Sequence, residues 1–171
     1  DSVEVWVQPK QFKLNANLQP EVVTGVPPDY FSETGQRWGN PHYNWEVMEQ
    51  DNFSWWCRRV EASLELFDLV RIDHFRGLEA SWEIAASEPT AVNGSWQKDP
   101  GEQLLTCLQQ VFDPLPLVAE DLGIITPEVV ALKEQFGLPG MSVLHFGFSG
   151  LPDNPHAPGG LVENSVVYTG T

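Results

Sequence analysis

Apolar positions along the chain alternate between two periods, and this alternation predicts helices separated by short strands. Three segments carry apolar residues at helical spacing, and they begin at Ser54, Gln103 and Thr126. In the third segment Thr126 is a good N-cap, proline follows at the first helical position, and Gly137 is placed to end the helix. Short apolar runs predict four strands, over residues 69–73, 115–119, 141–148 and 166–169.

This order of strands and helices is typical of parallel βα units and predicts the α/β class. Ionisable residues follow or end the first three predicted strands: Asp73 and His74, Glu120 and Asp121, and His145. In parallel α/β folds the ligand binds at the carboxyl ends of the strands. We therefore expect the chemistry of this protein at these strand ends.

Three segments are dense in glycine, proline and other turn formers, which predicts loops over residues 25–41, 87–101 and 149–160. Two of the seven tryptophans, Trp38 and Trp96, lie in the first two of these segments. Exposed aromatic rings in an acidic protein suit a neutral, ring-shaped ligand such as a sugar. Rings packed in the core would need no ligand, so both interpretations of the tryptophans stay open at this point.

Charge excludes several classes of partner. The chain has 24 Asp and Glu against 9 Lys and Arg, a formal net charge of −15 and a pI near 4.4. Because phosphate binding needs clustered basic residues, we expect neither nucleic acid nor an anionic membrane surface as partner.

We also expect no membrane span, which would need roughly 20 apolar residues, and no signal peptide, because Asp1 opens the chain without a basic region. Cys57 and Cys107 are expected to be buried thiols.

Asp73 and Glu120 are the candidate catalytic pair. Adjacent parallel strands lie about 4.8 Å apart, so carboxyl groups at matching heights can stand roughly 5 to 5.5 Å apart, as in retaining glycosidases. Polar residues also end many strands simply because the chain reaches solvent there. The positive charges of Arg71 and His74 would keep Asp73 ionised, as a nucleophile must be, and Arg71 at i−2 is the better placed of the two. The apolar run before Glu120 favours a protonated general acid, whereas Asp121 faces the other way and is expected to cap the turn that follows.

Residues 71–77 (RIDHFRG) and 119–123 (AEDLG) resemble the motifs of glycoside hydrolase family 77, the 4-alpha-glucanotransferases. Further segments resemble the family in the same order: GVPPDYF at 25–31, GQRWGNP at 35–41, TAVNG at 90–94, GLPGM at 137–141 and YTGT at 168–171. The resemblance implies a (β/α)8 TIM barrel, a retaining double displacement, and neither a metal nor an organic cofactor. It also implies that Asp73 is the nucleophile, Glu120 the general acid/base and Arg71 the residue that orients the nucleophile.

The resemblance further implies a set of substrate-binding residues. Those that match or flank the glucan contacts of a loop over the cleft are Asp29, Tyr30, Trp38, Gly39 and Asn40. His74 follows the nucleophile as it does in the family. The implied partners are alpha-1,4-glucan oligosaccharides or polysaccharides, and the implied location is the cytoplasm, or the plastid stroma in a plant or alga.

Length limits what the chain is expected to hold. A complete (β/α)8 barrel typically takes about 250 residues, against 171 here. In the family the YTGT segment is followed by His-Asp, whose aspartate is the third catalytic carboxylate, and the sequence ends at Thr171. We therefore expect residues 1–171 to be the central part of the barrel, with substrate-loop insertions near 25–41 and 79–100. We expect this segment alone to have no transferase activity.

Two other functions fit parts of the pattern. A metal-dependent hydrolase on the same barrel would need ligands that converge on one point; its candidates are Asp73, His74, Glu120 and His145. A non-catalytic glucan-binding module would need aromatic rings that stack on sugars; its candidates are Trp38, Trp82 and Trp96. The module leaves the strand-end carboxylates without a role.

Overall fold

The computed structural model describes residues 2–29, 32–151 and 153–170. The α-helices in these ranges are α1 Val3–Val7, α2 Trp45–Gln50, α3 Ser54–Leu64, α4 Gly101–Val111 and α5 Pro127–Gln135. The strands are β1 Val22–Val26, β2 Gln36–Pro41, β3 Val70–Ile72, β4 Ala80–Ala85, β5 Gly94–Lys98, β6 Leu117–Ala119, β7 Gly140–Val143 and β8 Ser165–Tyr168. Short 3₁₀ helices lie at Pro9–Gln11, Phe75–Leu78 and Leu144–Phe148. The fold is mixed α/β, as predicted.

Two compact units make up the chain. The first combines residues 1–56 with 77–104, and the second combines residues 57–76 with 105–171. Each unit therefore draws on two separate stretches of the sequence. Within the described ranges, no helix has both the length and the apolar character that crossing a membrane requires.

The first unit is built on an antiparallel sheet, in which the described strands follow the order β2–β1–β4–β5. Segments 25–41 and 87–101, predicted to be loops, contribute β2 and β5 to this sheet. The loop prediction is wrong for residues 36–41 and 94–98, because cross-strand pairing supplies the order that the local turn propensity does not. Trp38 and Trp96 consequently lie on the outer strands of the sheet, where they are 41% and 40% exposed.

The core of this sheet depends on a close approach between a glycine and an indole. Its buried members are Val23, Ile84 and Ala91. Trp82 packs against them and lies opposite Trp96 in the register, with ring centroids 5.2 Å apart in an edge-to-face arrangement. A Cβ atom at Gly94 would lie 2.4 Å from the indole nitrogen of Trp82. Only glycine at position 94 therefore allows the Trp82 indole to approach β5 this closely.

A second group of aromatic rings in the first unit belongs to the core. The rings of this group have centroids 5.0 to 6.4 Å from those of their neighbours; they are Phe12, Tyr43, Trp45, Phe53, Trp55 and Trp56. Trp55 and Trp56 are buried. The two interpretations of the tryptophans thus apply to different residues, since this cluster is core whereas Trp38 and Trp96 expose part of their rings to solvent.

The second unit contains parallel strand pairs. β3 pairs with β6 and β7 pairs with β8, each in parallel. The Ala119 amide at the end of β6 donates to the Pro139 carbonyl just before β7, at 2.8 Å, and links the two pairs. Helix α4 precedes β6 and α5 separates β6 from β7, so the predicted strand–helix order is present. The described sheets show parallel pairing, whereas a closed barrel stays a prediction.

The predicted helices and strands hold with local corrections. The strand predicted over residues 141–148 ends at Val143, and a 3₁₀ helix follows at Leu144–Phe148. In α4, Leu104, Leu105 and Leu108 are buried, whereas Val111 is exposed, as is Phe67 beyond the end of α3. Cys57 and Cys107 are thiols as predicted, although both are half-buried rather than buried.

Helix α5 begins and ends as the sequence predicts. Thr126 is its N-cap and Pro127 its first residue. Gly137 adopts a left-handed φ of +63°; its amide donates to the Glu134 carbonyl at 3.0 Å, and the next amide, of Leu138, donates to the Lys133 carbonyl at 3.1 Å. This pair of bonds is a Schellman motif, which a glycine at this position favours because it has no Cβ.

Candidate active site

The register of β3 and β6 brings Asp73 and Glu120 to the same level. Ile72 pairs with Ala119 in the parallel ladder, so the next residue on each strand is one of the two carboxylates. The Glu120 amide donates to the Ile72 carbonyl at 3.0 Å, and the Glu120 carbonyl accepts from the Phe75 amide at 3.0 Å. The backbone around Glu120 is therefore tied to the segment that carries Asp73.

Backbone amides hold both carboxylate oxygens of Glu120. The His74 amide donates to Oε2 at 2.7 Å, and the Leu122 amide donates to Oε1 at 3.0 Å. Glu120 is half-buried. Because backbone donors have no rotamers to lose, this arrangement fixes the direction of the carboxylate at little cost in entropy. The contact with the His74 amide also places the Glu120 carboxylate next to the residue that follows Asp73.

Asp73 presents an exposed carboxylate whose one described ion pair is with Arg71. Arg71 Nη1 lies 2.6 Å from Asp73 Oδ1, with side-chain exposures of 42% and 77%. The i−2 pairing expected from the strand alternation is thus present. Such an exposed pair contributes little to stability. What it provides is a permanent positive charge beside Asp73 and a fixed direction for its carboxylate.

His74 differs from the sequence expectation. Burial, together with the positive charge of Arg76, lowers the pKa of His74 from 6.5 to about 4. The imidazole is therefore neutral at neutral pH. The prediction that His74 adds positive charge beside Asp73 is wrong for this reason. The backbone of His74 has a left-handed φ of +50°. This conformation accompanies the hydrogen bond that the His74 amide donates to Glu120 Oε2.

Asp121 is structural, as predicted, but through other contacts than the predicted cap. Its Oδ2 lies 2.5 Å from Lys133 Nζ on α5, and its Oδ1 accepts from the Met141 amide on β7 at 2.7 Å. A Cβ atom at Gly140 would lie 2.5 Å from Oδ2 and 2.8 Å from Lys133 Nζ. Asp121 therefore joins the end of β6 to α5 and β7, and the bare backbone at Gly140 makes room for this contact.

Arg76 is a residue whose contact the sequence analysis missed. Its Nη1 donates to the Ile124 carbonyl at 2.6 Å, across 48 positions of sequence. Ile124 belongs to the irregular segment that follows Glu120. No spacing rule connects an arginine to a distant backbone carbonyl, so the signal available was its place in the RIDHFRG motif.

The described members of the predicted substrate-binding set in the first unit lie on β2 or before it. Asp29 precedes β2, and its Oδ1 accepts from the Ser32 amide at 2.9 Å. Trp38, Gly39 and Asn40 lie on β2 rather than in a loop, and Gly39 has a left-handed φ of +85°. Trp38 Nε1 donates to Gln36 Oε1 at 3.1 Å. Tyr30 lies outside the described residues.

The ligands of the hypothetical metal-dependent hydrolase do not come together. In residues 2–29, 32–151 and 153–170, no group of three or more His, Cys, Asp and Glu side chains is arranged to hold a metal ion. His145, which was predicted on a strand, lies instead in the 3₁₀ helix after β7 and is exposed.

Paired carboxylates are typical of enzymes that act on glycosidic bonds, and Asp73 and Glu120 follow neighbouring parallel strands. Comparison with known proteins narrows this class. The family model described as 4-alpha-glucanotransferase matches residues 1–171. The chain belongs to this family, glycoside hydrolase family 77.

Individual relatives agree with the family match. A 4-alpha-glucanotransferase of Thermus thermophilus is 60% identical over 173 residues, which cover 100% of this chain and 35% of the relative. A chloroplastic/amyloplastic 4-alpha-glucanotransferase of Solanum tuberosum is 48% identical over 170 residues, covering 99% of this chain and 30% of the relative. The structure is also similar to that of an amylomaltase from Streptococcus agalactiae in complex with acarbose, with a TM-score of 0.95 and 41% identity over 100% of this chain and 35% of that one. The chain spans about a third of the length of these relatives.

Proposed function

We propose that a complete enzyme carrying this chain transfers alpha-1,4-glucan segments between glucan molecules by a retaining double displacement. The observation that carries the proposal is the carboxylate pair Asp73 and Glu120, which follow register-paired residues of β3 and β6. Membership of the family supports it, because the relatives are named for this activity.

Each residue of the pair has a distinct part in the first step. Asp73 attacks the anomeric carbon of the donor and forms a bond from its carboxylate oxygen to that carbon. The bond from the carbon to the glycosidic oxygen breaks, its electron pair stays on that oxygen, and Glu120 gives the oxygen a proton. Arg71 directs the Asp73 carboxylate for attack, since its guanidinium contacts Oδ1.

The second step reverses the first with a new sugar. A hydroxyl oxygen of the acceptor glucan attacks the same carbon and gives its proton to Glu120, which now acts as base, while Asp73 leaves with its electron pair. Two inversions retain the configuration at the carbon. The amides of His74 and Leu122 keep the Glu120 carboxylate in one direction through both steps.

We propose a (β/α)8 barrel as the complete fold, of which this chain forms the central part. The parallel pairs β3–β6 and β7–β8, with helices α4 and α5 in the βα order, support the proposal. Carboxylates after strands β3 and β6 agree with it, because active sites of such barrels lie at the carboxyl ends of the strands.

The first unit provides the proposed acceptor contacts. Trp38 exposes 41% of its surface on an outer strand, where its ring is available to stack on a sugar. Asn40 is exposed on the same strand and offers an amide for hydrogen bonds to hydroxyl groups. By family resemblance we assign Asp29, Tyr30 and Gly39 to the same glucan contacts, and His74 to the donor beside the nucleophile.

We propose alpha-1,4-glucans as substrates, and the cytoplasm or the plastid stroma as the location. The similar amylomaltase is in complex with acarbose, and the similar potato enzyme is named chloroplastic/amyloplastic.

A trapped intermediate tests the proposal. The experiment uses a complete enzyme, made by replacing the matching segment of the Thermus thermophilus relative with this chain; we call this chimera the complete enzyme. A maltosyl fluoride carrying fluorine at ring position 5 slows the second step, so that the covalent intermediate accumulates. We expect mass spectrometry of the digested protein to find the sugar on the peptide that contains Asp73.

Matched variants make the test specific. Asp73→Asn should abolish both labelling and transfer, whereas Asp68→Asn, an exposed carboxylate nearby in sequence, should leave both unchanged. Glu120→Gln should lower transfer between maltotriose molecules by about 10²- to 10⁴-fold, the usual contribution of a general acid. Label on a residue other than Asp73, or full transfer by Asp73→Asn, would overturn the proposal.

A further inference from the structure

Two hydrogen bonds, joined by the backbone of residues 122–124, connect Arg76 to the carboxylate of Glu120. Arg76 Nη1 donates to the Ile124 carbonyl at 2.6 Å. Two residues before Ile124, the amide of Leu122 donates to Glu120 Oε1 at 3.0 Å. The side chain of Arg76 therefore holds the segment that supplies one of the two backbone donors to Glu120.

Arg76 holds the part of the segment beyond Asp121, which is itself held by Lys133 and the Met141 amide. Residues 122–125 form neither helix nor strand, and Gly123 has a left-handed φ of +84°. Ile124 is 60% exposed, so burial of its side chain does not anchor the segment. An irregular, exposed segment loses order readily, and the guanidinium is suited to prevent this because its geometry is rigid and its charge permanent.

Residues 74–76, which include Arg76, also hold the other carboxylate oxygen of Glu120. Arg76 follows Phe75, whose amide donates to the Glu120 carbonyl at 3.0 Å, and His74 donates to Oε2 at 2.7 Å. Residues 74 to 76 thus hold Glu120 directly on one side and through Ile124 and Leu122 on the other. Loss of the Arg76 contact would release only the Oε1 side.

We propose that Arg76 is a positioning residue for Glu120: by holding the Ile124 carbonyl, it keeps the Leu122 amide on Glu120 Oε1 and so keeps the carboxyl group aimed at the glycosidic oxygen. The proposal rests on the proposed role of Glu120 as general acid/base. Arg76 itself touches no reacting atom in this scheme.

The scheme makes a prediction that depends on the leaving group. Cleavage of maltotriose requires a proton on the departing sugar oxygen, and Glu120 supplies it. Cleavage of alpha-maltosyl fluoride expels fluoride, which leaves without a proton. A misdirected Glu120 should therefore slow the first step with maltotriose and spare it with the fluoride, whereas general damage to the fold would slow both.

The test compares first-turnover rates of the complete enzyme with the two donors. We expect Arg76→Met, which removes the donor and charge while keeping a long side chain, to lower the rate with maltotriose about 10-fold or more, within the range of general acid catalysis. The rate of the fluoride burst should change less than about 2-fold, and KM for maltotriose should change little. Arg76→Lys should recover part of the loss, because it restores a donor and a positive charge.

Control variants separate this proposal from other causes. Arg58→Met removes an exposed arginine of α3 and should leave both rates unchanged. If Arg76→Met does not fold, replacing Leu122 by its α-hydroxy acid exchanges the N–H that reaches Oε1 for an ester oxygen, keeps the side chain, and should give the same selective loss. Equal losses with both donors, or no loss with either, would overturn the proposal.

The variant Glu120→Gln, measured in the same way, distinguishes a failure of the proposal for Arg76 from a failure of the proposed role of Glu120. If Glu120→Gln shows the selective loss and Arg76→Met does not, Glu120 is the acid and Arg76 does not position it. If Glu120→Gln itself lowers both rates equally, the proposed role of Glu120 is wrong, and the proposal for Arg76 is wrong with it.

Discussion

At the scale of single residues, backbone atoms as well as side chains hold the proposed catalytic pair in place. His74 holds Glu120 through its amide, while burial keeps its imidazole neutral. Its left-handed φ of +50° is uncommon for a residue other than glycine, and asparagine tolerates this region best among the alternatives. The side chain and the backbone of His74 can therefore be tested separately with an asparagine variant.

The lowered pKa of His74 predicts how stability depends on pH. The folded protein binds the proton near pH 4, whereas the unfolded chain binds it near its ordinary value of about 6.5. Below about pH 6.5 the unfolded state is therefore favoured by proton binding, and stability falls progressively until about pH 4. Between pH 7 and pH 4.5 we expect the free energy of unfolding of His74→Asn to fall by about 2 kcal/mol less than that of the parent, as measured by urea unfolding of the complete enzyme.

The exposed His145 offers the control for this measurement. His145→Asn should keep the pH dependence of the parent. An unfolding free energy that falls equally for the parent and for His74→Asn would show that burial of this imidazole does not contribute to acid sensitivity.

Trp38 is a second residue whose exposure leads to a prediction. A ring that stacks on the acceptor sugar favours attack by a sugar hydroxyl over attack by water on the covalent intermediate. We expect Trp38→Ala to raise the ratio of hydrolysis to transfer several-fold, measured as reducing ends formed against disproportionation products from maltotriose. Trp96→Ala, which removes a ring of the same exposure on the opposite outer strand, is the control, and an unchanged ratio in Trp38→Ala would contradict the assignment.

At the scale of elements, side chains at strand ends connect neighbouring βα units. Asp121 connects the end of β6 to Lys133 of α5 and to the Met141 amide of β7. This ion pair is largely buried, at 18% and 12% side-chain exposure, so removal of one partner would leave the other charge poorly solvated. Because Glu120 precedes Asp121, the contact also fixes where the proposed acid/base leaves the strand.

The packing at Gly140 provides a test of this connection. Gly140→Ala would place a methyl group 2.5 Å from Asp121 Oδ2, and overpacking of this kind costs about 1–3 kcal/mol. We expect a loss of that size in the free energy of unfolding. Gly159→Ala, where an added Cβ meets nothing within 4 Å, should be close to neutral, and equal effects of the two substitutions would contradict the role assigned to Gly140.

At the scale of the whole molecule, the chain supplies two proposed catalytic carboxylates but spans about a third of the length of its relatives. The activity for which those relatives are named belongs to chains about three times as long. The two compact units each contain predicted site residues, the carboxylate pair in one and Trp38 in the other. The proposed activity thus draws on predicted residues of both units, and the family resemblance implies a third carboxylate as well.

Because the chain spans about a third of the length of its relatives, we expect that the 171-residue chain alone does not disproportionate maltotriose. Thin-layer or liquid chromatography of the products would detect activity, and the complete enzyme serves as positive control at equal concentration. Formation of longer maltooligosaccharides by the isolated chain would contradict the prediction.

The sequence by itself determined the family, the carboxylate pair, the Arg71 contact and the ends of α5, because each depends on a local motif or a spacing of a few residues. Tertiary structure alone decided the rest. Segments 25–41 and 87–101 carry paired strands because of partners elsewhere in the first unit, and the bonds from His74 to Glu120 and from Arg76 to Ile124 span 46 and 48 positions. The charge of His74 likewise depends on burial, which spacing along the chain does not encode. Contacts between distant positions follow from the register of strands and the packing of elements, and those are settled only when the chain folds.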